Sequence, residues 1–250
     1  MKFLKNKTSR VLILVMGTLF ILAIVIADWY YKYENLSTDP RVYDAHLLYE
    51  KYNKYAENAQ YDSVFVLMDS IENIYLEFDH YSQSYEVGVL YNNRAAAYIS
   101  LALNANDSIV KDSLLKSAEI NALKSIDIYT SWIEVYENLN DDEIKILIQP
   151  YFSENDIAFE NKNISRYLKK RVKQIKEAQF ETPRRLSVSY ANYGIILRHR
   201  GEYDNAINMY FKALELWPDN LAAENNLNVL FDQPQKKRST LRKIFPKDRL

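Results

Sequence analysis

The chain has no cysteine and only four glycines in 250 residues. The missing thiols exclude disulfides, thiol catalysis, iron–sulfur ligation and a lipidated N-terminal cysteine. Gly17 lies in an apolar N-terminal run, which leaves Gly88, Gly194 and Gly201. Three scattered glycines cannot build a P-loop or a dinucleotide-binding fingerprint, both of which cluster glycines so that backbone can approach phosphate. His46, His80 and His199, the only histidines, are too far apart for a local metal motif and read as structural. Six prolines supply little turn chemistry, which argues against an all-β fold. Acid groups such as Asp141-Asp142-Glu143 are better explained as a helix N-terminus favoured by the macrodipole than as catalytic carboxylates. The expectation is a chain that is not an enzyme, with no catalytic residue, no cofactor and no metal.

What is present is apolar and aromatic. Apolar residues at 48% and charged residues at 26% suit a globular chain rather than a disordered one. Twenty-one tyrosines, with abundant Leu, Ile, Ala, Asn and Lys, suit packed helices. The fold class expected is all-α.

Residues 1–10 form a basic segment with Lys2, Lys5, Lys7 and Arg10 and no acid. Val11 to Ala27 then carries no charge over seventeen residues, or roughly 26 Å as a helix. Trp29, Tyr30, Tyr31 and Tyr33 follow where an interfacial aromatic belt would sit, so 11–31 reads as a transmembrane signal anchor. A cleaved signal peptide is the competing reading, because Val25 and Ala27 supply small residues before Asp28. The long apolar run and the aromatics after it favour retention. Basic residues ahead of the span, against only Lys32 and Arg41 soon after it, put the N-terminus in the cytoplasm. The remaining chain is then extracytoplasmic, and periplasmic if the source is a diderm bacterium.

The clearest periodicity lies in 187–220. Tyr190, Tyr193, Gly194 and Leu197 fall at i, i+3, i+4 and i+7, on one helix face. Gly201 and Tyr203 follow at a turn, then Ala206, Tyr210 and Ala213, and Pro218 stops the second helix. Gly194, Ala206 and Ala213 leave room for two helices to approach closely. This large-large-small-large helix, followed by a small-aromatic-small helix and a closing proline, resembles the tetratricopeptide (TPR) repeat family.

The remaining helical domain, 40–231, fits the same frame less regularly. Leu221 to Phe231 reads as a capping helix. Residues 45–78 place Leu48, Tyr52 and Tyr55 on one helix and Tyr61, Val64, Met68 and Ile71 on the next. Around Tyr91, Ala95 takes the small position, with a partner helix starting near Asp112 and including Ala118, Ala122 and Ser125. In the poorly readable stretch 132–183, helices are expected over Asp141 to Gln149 and Asn163 to Gln179, the second ended by Pro183. The resemblance implies a short α-solenoid of tetratricopeptide-type hairpins behind one N-terminal transmembrane helix. It also implies a concave face that holds a peptide or partner helix. The family's groove-facing asparagine positions correspond to Asn93, Asn192 and Asn226, with Asn92 and Asn225 beside them and Arg198 one turn on. Against this stands the plainer reading that Asn is frequent here and solvates helix faces.

Charge is divided along the chain: 28–160 carries a net −15 and 161–250 a net +10. Such asymmetry suits electrostatic steering or self-association, although solvated helix faces also explain it. The basic tail, 232–250, reads as a flexible extension suited to anionic lipid rather than nucleic acid. The function expected is a membrane-anchored TPR adaptor or scaffold that binds a protein or peptide partner. A secreted or periplasmic solute- or glycan-binding module with a cleaved signal peptide is the alternative, supported by the tyrosines.

Overall fold

The computed structural model describes residues 7–35 and 38–237, with side chains at 11–29 and 38–237. Residues 1–6 of the basic N-terminal segment and 238–250 of the basic tail lie outside the described residues. Among the described residues there are ten α-helices and no strand.

The first helix, α1 (Lys7–Asn35), contains the apolar stretch Val11–Trp29, whose nineteen residues are long and apolar enough to cross a membrane. None of that stretch is buried against the rest of the chain.

The helical domain opens with a 3-10 turn at Pro40–Val42, capped by Asp39. Helices α2 (Tyr43–Glu57) and α3 (Tyr61–Leu76) form an antiparallel pair whose buried contacts include Ala45, Val64, Met68 and Ile71. Ala59 turns the chain between them at φ 54°, a left-handed conformation that a glycine adopts more cheaply. After the single turn α4 (Asp79–Ser82) come α5 (Tyr85–Asn104) and α6 (Ser108–Tyr136), a second antiparallel pair. Asp107 caps α6 by accepting from the Ile109 and Val110 amides, so the helix starts at Ser108, four residues before the expected Asp112.

The close approach of α5 and α6 centres on Gly88, not only on Ala95. A methyl at Gly88 would lie 2.6 Å from Tyr129 Cε1, so glycine is required for the ring to pack. Ala95, Ala102, Ala118 and Ala122 continue the same tight interface. Gly88 lies two helical turns before Ala95 on α5, so the interface extends beyond the string around Tyr91. Gly194 has the same relation to Tyr210, with a Cβ-to-ring distance of 2.5 Å.

Helix α7 (Asp141–Ile148) begins with a capping box between Asn140 and Glu143. Two 3-10 turns follow, Gln149–Tyr151 and Ile157–Phe159. Next, α8 (Ile164–His199) runs unbroken for 36 residues, with Pro183 inside it. Pro183 thus does not end a helix, contrary to the sequence reading. Proline costs one main-chain hydrogen bond. Packing on both sides of it holds the helix together: Leu168, Ile175 and Ala178 lie in one core cluster, and Ala191 and Leu197 in another. Gly201, at φ 81°, terminates α8, with Glu202 N–H donating to Leu197 O at 3.0 Å.

Helices α9 (Tyr203–Leu216) and α10 (Leu221–Leu230) complete the domain. Ser187 Oγ donates to Ala213 O at 2.6 Å and receives Asn220 Nδ2 at 2.9 Å, tying three helices at a buried point. Successive pairs stack: α3 packs on α5, α5 and α6 on α8, and α8 and α9 on α10. One connection departs from nearest-neighbour stacking. The 149–159 segment returns to the start of the domain, where Arg41 Nη1 donates to Tyr151 O at 2.7 Å. The Arg41 guanidinium lies 4.9 and 4.7 Å from the Phe152 and Phe159 ring centres.

Candidate functional site

The six asparagine and arginine positions singled out by sequence do not share one open surface. Asn92 on α5 and Asn192 on α8 meet, with Asn192 Nδ2 donating to Asn92 Oδ1 at 2.9 Å. Ser189 Oγ lies 3.0 Å from the same oxygen and 2.9 Å from the buried Ser125 Oγ. Ser125 in turn donates to Gly88 O at 2.9 Å. This is a polar seam linking α5, α6 and α8. Asn93, one residue on, turns toward α2 and donates to Tyr49 Oη at 2.9 Å.

The remaining positions lie elsewhere. Arg198 is half-buried near the end of α8, its Nη2 3.3 Å from His199 Nε2. Asn226 donates to Ala222 O in its own helix at 2.8 Å. Asn225 instead grips the chain's own tail from both sides of one residue. Its Oδ1 accepts from Lys236 N at 2.7 Å and its Nδ2 donates to Lys236 O at 3.0 Å. Asn228 Nδ2 donates to Pro234 O at 3.3 Å, and Lys236 Nζ pairs with Glu224 at 2.9 Å. Residues 234–236 therefore lie along α10, held mainly through their backbone.

A second polar cluster lies at the junction of α4, α5 and α8, and the sequence reading did not find it. Arg171 is 3% exposed and pairs with Glu86. Its Nε donates to His80 Nε2 at 2.9 Å, and its guanidinium lies 4.5 Å from the Tyr81 ring centre. Burial works against the Glu86 carboxylate, but Arg171 outweighs it and holds the pKa at about 2. Burial, reinforced by Arg171, pushes His80 down to about 3. His80 is therefore neutral near pH 7, and accepting at Nε2 places its ring proton on Nδ1. The available signal was Arg171 itself, which stands on the stripe of Leu168, Ile175 and Ala178 where an apolar residue is expected.

Beside this cluster opens a cleft of about 270 Å³, lined by His80, Gln83, Trp132, Tyr136, Tyr151 and Arg171 among others. Trp132 stacks on Tyr136 with ring centres 4.9 Å apart, and His80 on Tyr151 at 5.0 Å. With Arg171 compensated by Glu86 and His80 neutral, the cleft joins aromatic walls to one exposed carboxylate, Asp79. Its size suits one side chain or a single ring, below the usual volume of a drug-sized pocket. Among the described residues no group of three or more His, Cys, Asp or Glu is placed to hold a metal ion. No protein-family model, curated protein or solved structure matches this chain.

Proposed function

We propose that the chain is a membrane-anchored adaptor of the tetratricopeptide type, holding a protein or peptide partner on its extracytoplasmic helical domain. The observation that carries this reading is the succession of antiparallel pairs α2–α3, α5–α6 and α8–α9, each packed on the next. The repeated glycine-against-tyrosine contact, Gly88 on Tyr129 and Gly194 on Tyr210, adds support. Such stacks expose long helix faces at little cost to the core, and proteins use those faces for docking. The apolar α1 supplies the anchor, and the basic residues before it orient the N-terminus toward the cytoplasm. The aromatic cleft offers a place for one anchoring side chain of the partner.

In-cell cross-linking followed by purification from membranes tests the reading. Wild type is compared with Trp132→Ala/Tyr136→Ala in the cleft and with Arg198→Ala/Asn226→Ala. A partner recovered with wild type and lost with one folded variant is the expected result. Absence of any partner from all three proteins refutes the adaptor. The cleft also favours the second reading, a released module that binds a solute or glycan, because the exposed Tyr151 in its lining is a ring of the kind that stacks on sugars. A mature chain beginning at Asp28, together with saturable sugar binding lost in the Tyr151→Ala variant, would establish that reading instead.

A further inference from the structure

The tail contacts on α10 have the form of ligand recognition. Asn225 uses both halves of its amide on the main chain of Lys236, at 2.7 and 3.0 Å. Such a pair of bonds reads an extended backbone whatever its side chain. Asn228 takes the Pro234 carbonyl at 3.3 Å, which fixes the strand's direction along the helix. Glu224 adds selectivity, since its carboxylate lies 2.9 Å from the Lys236 ammonium. The chain reaches this position through a tight turn, in which Asp232 adopts φ 53° and Gln233 N–H donates to Asn228 O at 2.7 Å. All these bonds are at the surface, so each is worth little and the strand can leave.

We propose that Glu224, Asn225 and Asn228 form a binding site for an extended, lysine-bearing peptide segment of a partner protein, and that residues 234–236 fill it as a tethered competitor. The proposal deepens the adaptor reading by naming the chemistry of one partner segment. The partner is committed to that chemistry by what the site already holds: a main chain gripped at both its N–H and its carbonyl, a second carbonyl two residues before it, and an ammonium at the gripped residue. A tethered strand lowers the apparent affinity for an outside peptide in proportion to its own occupancy. The tail therefore sets a threshold that a partner must exceed.

The test uses the full chain in detergent micelles and a fluorescent peptide with the sequence of residues 232–237, followed by anisotropy. In Lys236→Glu the tethered strand meets Glu224 with like charge, while the peptide keeps its lysines. Binding should tighten relative to wild type, and a gain of about tenfold would correspond to a tethered strand that fills the site about nine-tenths of the time. Adding Asn225→Ala to Lys236→Glu should abolish that gain, with circular dichroism and urea unfolding checking that both variants fold. Equal affinity for wild type and Lys236→Glu overturns the competitor. Undiminished binding after Asn225→Ala, or no binding to any of the three proteins, overturns the site. A membrane partner still captured by the Asn225→Ala chain would remove this site while leaving the adaptor reading intact.

Discussion

The buried His80 makes the fold sensitive to mild acid, and the effect can be sized. An unfolded histidine takes up a proton below about pH 6.5, whereas His80 in the folded chain does so only near pH 3, through burial and the adjacent Arg171. Between those values the unfolded state binds one proton more than the folded state, so stability falls as the pH falls. The slope is about 1.4 kcal/mol per pH unit, giving a loss of ~2 kcal/mol by pH 5. Glu86 adds a loss of the same sign only lower, from its unfolded value near 4.5 down to about 2. The comparison is wild type against His80→Gln, whose side-chain oxygen can still accept from Arg171 Nε. Urea unfolding followed by tryptophan fluorescence at pH 7.5, 6.5, 5.5 and 5.0 gives both profiles. His46 and His199 are present in both proteins and cancel from the difference. His80→Gln should lose less stability on acidification, and its advantage should grow by about 1.4 kcal/mol per pH unit below pH 6.5. Parallel profiles would refute the claim that His80 is held neutral.

Three further changes probe the packing by urea unfolding. Arg171→Met leaves Glu86 buried without its cation and should destabilise by about 3–5 kcal/mol, while Arg171→Met/Glu86→Leu should recover most of that loss; equal losses would mean the pair is not energetically coupled. Gly194→Ala forces a methyl against Tyr210, and overpacking of about 1–3 kcal/mol should exceed the ~1 kcal/mol gained in helix propensity. In that background Tyr210→Leu should cost less than in wild type, and strict additivity would place the clash elsewhere. Ala59→Gly relieves the left-handed alanine at the α2–α3 turn and should stabilise by about 1 kcal/mol. A loss of stability there would show that the alanine methyl makes a contact outweighing its strain.

Helical character was legible because apolar periodicity and poverty in glycine and proline point the same way. The α8–α9 pair was the plainest part, since Gly194, Gly201 and Ala206 each mark a backbone approach or a turn that larger residues resist. Pro183 misled for a physical reason. Its ring removes one hydrogen bond locally, but a helix of 36 residues anchored by two core clusters tolerates that loss. Sequence shows the local cost and not the tertiary compensation. The role of Gly88 was not legible either, because it is marked only by the ring of Tyr129, forty-one residues away. The return of the 149–159 segment to Arg41 had no local signal, since a surface arginine and one held between two phenylalanines look alike in sequence.

The asparagines show where pattern reasoning stops at a candidate site. An amide donates and accepts equally well to a peptide, a neighbouring helix or its own backbone, so residue type does not select among these. Helix rotation does. Successive residues on a helix differ by about 100° in direction, and that single step separates Asn92, which meets Asn192 on α8, from Asn93, which meets Tyr49 on α2. On α10 the same step separates Asn225, which grips Lys236, from Asn226, which bonds back to Ala222. A row of asparagines at matching repeat positions therefore becomes an open ladder only where the neighbouring helix leaves that face uncovered. In this chain α8 covers the Asn92 face of α5, and the amides there join helices. At the end of the stack no further helix follows α10 among the described residues, and the amide of Asn225 takes an extended strand. The rotation of each residue on its helix and the cover given by the next helix, rather than residue type, decide what each of these amides bonds.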